Sequence, residues 1–170
     1  QECLGPSSYS KGQGIPVRIR GMLACGALHV HVLPEGQAMD KYAYSDLVEE
    51  KFEDWCGNCE WLVCDFEKCL RTEEAMSSLS MSTNLQLVGD FPKCSQDFNA
   101  IENAWGILRE RLDKTMPTNL EHRDEFVKRL AAAMKWVNAN GKEQLWHLSA
   151  NQKERAEACL NAEPPGGRTK

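Results

Sequence analysis

The chain has 170 residues, 42% of them hydrophobic, and a formal net charge of -5. That length and apolar content suit one domain with a buried core. The acidic balance argues against a free-standing nucleic-acid binder, although twenty Lys and Arg leave room for a local basic groove, and no run approaches the roughly 18 apolar residues that a membrane span needs.

Residues 1–14, QECLGPSSYSKGQG, have no periodicity and read as a loop. Gln1 stands where a signal peptide would start with Met, and no apolar signal core follows. This predicts an intracellular chain that is processed or part of something longer. Alternation at Val17, Ile19, Leu28, Val30 and Val32, with bends at Gly21 and Gly26, predicts a β-hairpin. DKYAYSDLVEEKFEDWCGN carries Tyr42, Leu47, Phe52 and Trp55 among acids and predicts an amphipathic helix ending near Gly57. EWLVCDF is an apolar run of strand length that ends in Asp65.

RTEEAMSSLSMS predicts a helix capped by Thr72, and NLQLVGDFP alternates at Leu85 and Leu87 as a strand stopped by Pro92. In SQDFNAIENAWGILRERL, Phe98, Ile101, Trp105, Leu108 and Leu112 form one helical stripe. HRDEFVKRLAAAMKWVNANG puts Phe126, Leu130, Met134 and Val137 on one face, with Gly141 as a stop. LSANQKERAEACL predicts a last helix capped by Ser149, with Gln152 reciprocal to it. Residues 163–170 read as a disordered tail. Strands alternating with helices predict an α/β fold over 15–162 with at least one parallel strand pair.

Four of the eight cysteines fall between Cys56 and Cys69. A secreted disulfide scaffold would be shorter and poorer in helix, so reduced thiols are expected. Cys56 and Cys59 form a Cys-x-x-Cys, but a second pair converging on it is not apparent, and buried or inert thiols are the simpler account. His29 and His31 share one strand face, which an overlying helix or solvent would explain as well as a ligand would.

Two acids draw a chemical reading. Asp65 ends a strand, and Glu102 lies in the first turn of the helix after the next strand, at the border of its apolar stripe. Neighbouring strands would bring both to the sheet edge where α/β ligands gather. Two nearby carboxylates need a shared proton or a cation, and hard oxygen donors suit Mg²⁺ or Mn²⁺. A pair of such ions about 4 Å apart can activate water and stabilise the leaving oxygen in phosphodiester cleavage. The same residues also have ordinary readings. Asn99 and Glu102 have capping-box spacing, and Asp65 could be a turn residue at a strand end.

The segment FPKCSQDFNAIENAWGILRERL resembles the signature near the end of the catalytic domain of mariner-superfamily DDE transposases. Pro92, Ser95, Asp97, Asn99, Ile101, Glu102, Asn103 and Trp105 match an aromatic-Pro followed by Ser-Pro-Asp-Leu-Asn-Pro-Ile-Glu-Asn-Leu-Trp. WLVCDFEKCL occupies the place of the family's second acid, and 36 residues lie between Asp65 and Glu102, close to the family's usual gap. The likeness spans most of Val17–Leu112. It implies a ribonuclease-H-like mixed sheet flanked by helices, with extra C-terminal helices. It assigns Asp65 and Glu102 as catalytic metal ligands for two Mg²⁺ or Mn²⁺ ions. The implied reaction is hydrolysis of double-stranded DNA at transposon ends, then strand transfer by the freed 3′-hydroxyl. A nuclear location and a homodimer of the full-length protein are implied too, with no membrane partner.

Arg18, Arg20, Lys68, Arg71, Arg109 and Arg111 are candidates for DNA backbone contacts, or else solvated surface charges. The chain also departs from the pattern. Phe66, Glu67 and Lys68 follow Asp65 where the family has Asn-Ala-Pro, and Gln96 and Ala100 replace expected prolines. The strand with the first acid should precede the hairpin, and residues 1–10 do not read as a strand. A C-terminal piece with little or no activity is therefore expected. The other readings are a decayed or domesticated derivative that keeps the fold only for binding, and a metal-dependent nuclease of the same fold.

Overall fold

The computed structural model describes residues 16–64, 68–88 and 99–150, with the backbone alone at Lys68. The loop expected at 1–14, Asp65, Phe98 and the tail at 163–170 lie outside the described residues.

Strands β1 (Ile19–Ala24) and β2 (Ala27–Val32) form the expected antiparallel hairpin, in register from Ile19 opposite Val32 to Ala24 opposite Ala27. Cys25 and Gly26 make the two-residue turn, both with positive φ, +50° and +75°. Positive φ at both central residues is what a type I′ two-residue turn requires, because its twist then matches that of the strands. Gly21 is not a bend. It lies within β1, where Trp105 packs against it.

Side chains alternate across the hairpin, as strand geometry dictates. Met22 and Ala24 enter one core, while Leu28 enters a second, flanked by Ile19, Leu23, Val30 and Val32. The hairpin is thus the middle layer between two sets of helices.

The first set begins with α1 (Lys41–Leu47), whose N-cap Asp40 accepts from the amides of Tyr42 and Ala43. A π-helical turn, Val48–Phe52, leads directly into α2 (Glu53–Cys56). The five-residue step from Leu47 to Phe52 is too long for one face of an α-helix, and the π turn absorbs it. Both residues are buried. Tyr42 departs from the expected stripe: it is 64% exposed, and Tyr44 takes the inward place. The helix stops at Gly57, as the sequence implied, with φ +53°.

Next come β3 (Trp61–Leu62), a 3₁₀ turn at Lys68–Arg71, α3 (Glu73–Ser82) and β4 (Gln86–Leu87). Thr72 caps α3 by accepting from the Ala75 amide at 3.2 Å. β3 and β4 pair in parallel, Trp61 with Gln86 and Leu62 with Leu87. Backbone bonds Gln86 N–H to Glu60 (2.8 Å) and Val88 N–H to Leu62 (2.9 Å) extend the ladder. This is the parallel pair expected of an α/β chain. Leu70, Ala75, Leu79 and Leu85 complete the first core.

The second set is α4 (Ala100–Lys114), α5 (Arg123–Asn140) and α6 (Lys142–Ala150). Ala104, Leu108, Leu112, Leu130, Ala133, Val137 and Leu145 pack with Leu28. Each fully buried leucine here contributes about 1.5–3 kcal/mol. Ser149 does not cap a helix. It lies within α6, its hydroxyl donating to the carbonyls of Leu145 and Trp146, and Gln152 and the rest of the expected last helix lie outside the described residues. Lys142, just after Gly141, opens that helix instead.

The fold is mixed α/β, with the described strands in two two-stranded sheets, β1–β2 and β3–β4. No described helix is long and apolar enough to cross a membrane.

Candidate functional site

The parallel β3–α3–β4 unit sets the geometry. Parallel strands leave a sheet in the same direction, so β3 and β4 point their carboxyl ends at one edge. Beyond β3 the chain runs to Asp65, which is outside the described residues. Beyond β4 it runs to α4, which opens at Ala100 with Glu102 in its first turn.

Glu102 is half-buried. The amino end of α4 carries the positive end of the helix dipole, which favours an ionised carboxylate there. Asn99 is the N-cap residue and is buried, yet its side chain makes no capping bond to the helix. The reciprocal box that the Asn99–Glu102 spacing allowed is therefore not formed as such. A capping box is found instead on α5, where the His122 side chain and Glu125 bond each other's backbone.

A cavity of about 450 Å³ opens beside this helix end. One wall consists of consecutive residues of β1, Arg20 to Ala24, and another of Trp61 to Cys64. Consecutive residues of a strand point to opposite faces. A cavity lined by all of them meets the strand's edge, not a face. Asn99, Ala100 and Ile101 close the end nearest Glu102.

The basic candidates are dispersed. Arg20 lines the cavity. Arg18 donates to the Gln37 carbonyl at 3.2 Å. Arg71 ends the 3₁₀ turn, half-buried beside α3, and Arg109 is exposed two turns along α4 from Glu102. Arg111 stacks over the ring of Trp136, 4.3 Å from its centroid, tying α4 to α5. The Lys68 side chain lies outside the described residues.

His29 and His31 lie on the helix-covered face. The His29 ring stacks on Trp55 at 5.2 Å, and burial lowers its pKa. Burial also lowers that of His31, with Glu50 opposing and Lys51 reinforcing.

The thiols hold what the sequence did not reveal. Cys25, at the hairpin turn, lies 3.3 Å Sγ to Sγ from Cys59, while Cys56 is buried and its thiol donates to the sulfur of Met22. Burial pushes Cys56 up to about 11; burial and the contact with Cys25 do the same to Cys59. The one signal in the sequence was a cysteine ahead of Gly26 in a tight turn, where Asn, Asp or Gly is usual. Among the described residues no group of three or more His, Cys, Asp or Glu is placed to hold a metal ion. In comparisons with known proteins, no family model and no curated sequence matches the chain.

Proposed function

We propose that this chain has a ribonuclease-H-like fold and is the catalytic core of a mariner-like DDE transposase, or a descendant of one. The observation that carries the reading is the parallel β3–β4 pair. Both strands end at the same sheet edge, and the segments bearing Asp65 and Glu102 follow them in the sequence, which is compatible with convergence on shared cations. The signature resemblance through Ser95–Leu108 supports it. So does the cavity, which residues of both β1 and the Trp61–Cys64 segment line beside the start of α4.

In this reading Asp65 and Glu102 hold two Mg²⁺ or Mn²⁺ ions through hard carboxylate oxygens. Such ions, when bound, polarise a phosphodiester and lower the pKa of an attacking water. The helix dipole at the amino end of α4 favours negative charge at Glu102. Arg20, on the cavity wall, offers a guanidinium to a phosphate oxygen. The partner is double-stranded DNA.

A Mn²⁺ titration followed by the resonance signal of the free ion tests this, with wild type beside Asp65→Asn and Glu102→Gln. Both variants are expected to bind at least about tenfold more weakly, as loss of a charged ligand implies. Equal affinity in all three proteins removes the metal site. The residues after Asp65, Phe66-Glu67-Lys68, favour a second reading, a derivative that binds DNA without cutting it. Retention of labelled DNA with no Mn²⁺-dependent cleavage distinguishes that reading from the first.

A further inference from the structure

The hairpin turn carries a residue that the backbone does not favour. Cys25 has φ +50°, a conformation that costs an L side chain energy and is normally left to Gly, Asn or Asp. Strain of this kind, when retained, points to a use for the side chain. The Cys25 side chain is directed at Cys59, which follows α2 in the loop before β3. The loop is held in place by a bond from the Cys59 amide to the Cys56 carbonyl at 2.9 Å. Cys25 is exposed and Cys59 partly so, whereas Cys56 is buried against Met22. An oxidant therefore reaches the Cys25–Cys59 pair from solvent.

We propose that Cys25 and Cys59 form a reversible disulfide, a peroxide-sensitive cross-link between the β1–β2 turn and the loop after α2. The sulfurs at 3.3 Å need to approach by little more than an ångström to reach bonding distance, roughly 2.05 Å. The Cys25 thiol gives up its proton and attacks a peroxide O–O bond. This yields a sulfenic acid at Cys25 and one molecule of water. The Cys59 sulfur then attacks the sulfenic sulfur. The S–O bond breaks, and the departing hydroxide takes the Cys59 proton as a second water. Two thiols are oxidised by two electrons, and one peroxide is reduced to two waters. A dithiol reductant reverses the bond by exchange. Cys25 and Cys59 both line the cavity wall, so the cross-link fixes that wall. The inference stands whether or not the cavity serves DNA chemistry.

The test starts from the fully reduced chain. It is treated with hydrogen peroxide, alkylated, digested with trypsin without reduction and sequenced by mass spectrometry. The peptide with Cys25 should be found joined to the peptide with Cys56, Cys59 and Cys64. Fragmentation between Cys56 and Cys59 should place the bond on Cys59. Cys25 and Cys59 should regain full alkylation after dithiothreitol. Cys59→Ser should abolish the cross-link and leave Cys25 as a sulfenic acid that dimedone traps, whereas Cys64→Ser should leave the cross-link intact. Full alkylation of Cys25 in peroxide-treated wild type overturns the proposal, and so does a bond to Cys56 or Cys64 in place of Cys59. Both overturning results are read on wild type, so they stand even if a variant fails to fold.

Discussion

The indole of Trp105, on α4, lies over the α-carbon of Gly21 on β1 so closely that a Cβ at Gly21 would fall under 3.0 Å from the ring. A second neighbour, the His29 carbonyl, stands at 3.2 Å from the same point and leaves no room to one side. Gly21→Ala is therefore expected to destabilise the protein by about 1–3 kcal/mol, the usual cost of overpacking. Urea denaturation of the single variant and of Gly21→Ala with Trp105→Leu checks this. The smaller partner should return most of the loss, and two equal single and double losses would point elsewhere.

The α5 residue Asn138 does for β2 what a neighbouring strand would do. Its Oδ1 accepts from the Leu28 amide at 2.9 Å, and its Nδ2 donates to the Leu28 carbonyl at 2.9 Å. Asn138→Ala strips both backbone groups of these partners beside a buried leucine. A loss of about 1–3 kcal/mol is expected. Amide exchange at Leu28 should accelerate more than at neighbouring β2 amides.

The connection between α4 and α5 is pinned by one ion pair. Arg129 Nε and Nη2 reach the two oxygens of Glu121 at 2.7 and 2.6 Å, and Nη1 donates to the last-turn carbonyl of Leu112 at 2.9 Å. Both side chains are largely buried, 16% and 12% exposed. Glu121→Gln removes the carboxylate charge that faces the guanidinium and is expected to cost about 2–4 kcal/mol. Thermal melting against pressure from added salt checks the assignment: a pair this sheltered should lose little stability in 0.5 M salt, on the order of a few tenths of a kcal/mol.

Much of this fold was legible because it rests on local chemistry. Alternation gave the hairpin, Thr72 and Gly57 gave helix ends, and the 3.6-residue stripe gave α5 with Leu130 and Val137 inward. Other features depend on partners distant in sequence. Nothing near Tyr42 says that it faces water while Tyr44 is buried. That choice follows from the π turn and from what α3 offers. Ser149 has the composition of a cap, but Gly141 and Lys142 start the helix earlier. The spacing of Asn99 and Glu102 suits a box that the buried Asn99 does not form. Of the signature residues, Trp105 has a packing task against Gly21, so part of that motif answers to architecture. The Cys25–Cys59 contact joins positions 34 apart and leaves no periodic trace.

Acid should weaken the protein through the hairpin histidines. Burial holds the pKa of His29 below its ordinary 6.5. In that case the unfolded chain binds the proton first as pH falls. Stability is therefore complete above about 6.5, and declines below it until the folded protein also titrates. His31 shifts in the same direction, so it adds to the effect. Urea midpoints between pH 8 and pH 5 should fall, and His29→Phe, which keeps an aromatic ring against Trp55, should flatten the slope. An unchanged slope in that variant would assign the effect to other groups.

The hairpin serves two cores at once, and that has a consequence for how its gene can change. Met22 and Ala24 answer to one set of helices, Leu23 and Leu28 to the other. Inserting or deleting a single codon within β1 would exchange the two allegiances, turning Arg20 toward a greasy interface and leucines toward the histidine side. Length changes of two residues would keep the parity. Natural variants of this segment should therefore differ in length by even numbers, while the helices around it drift more freely.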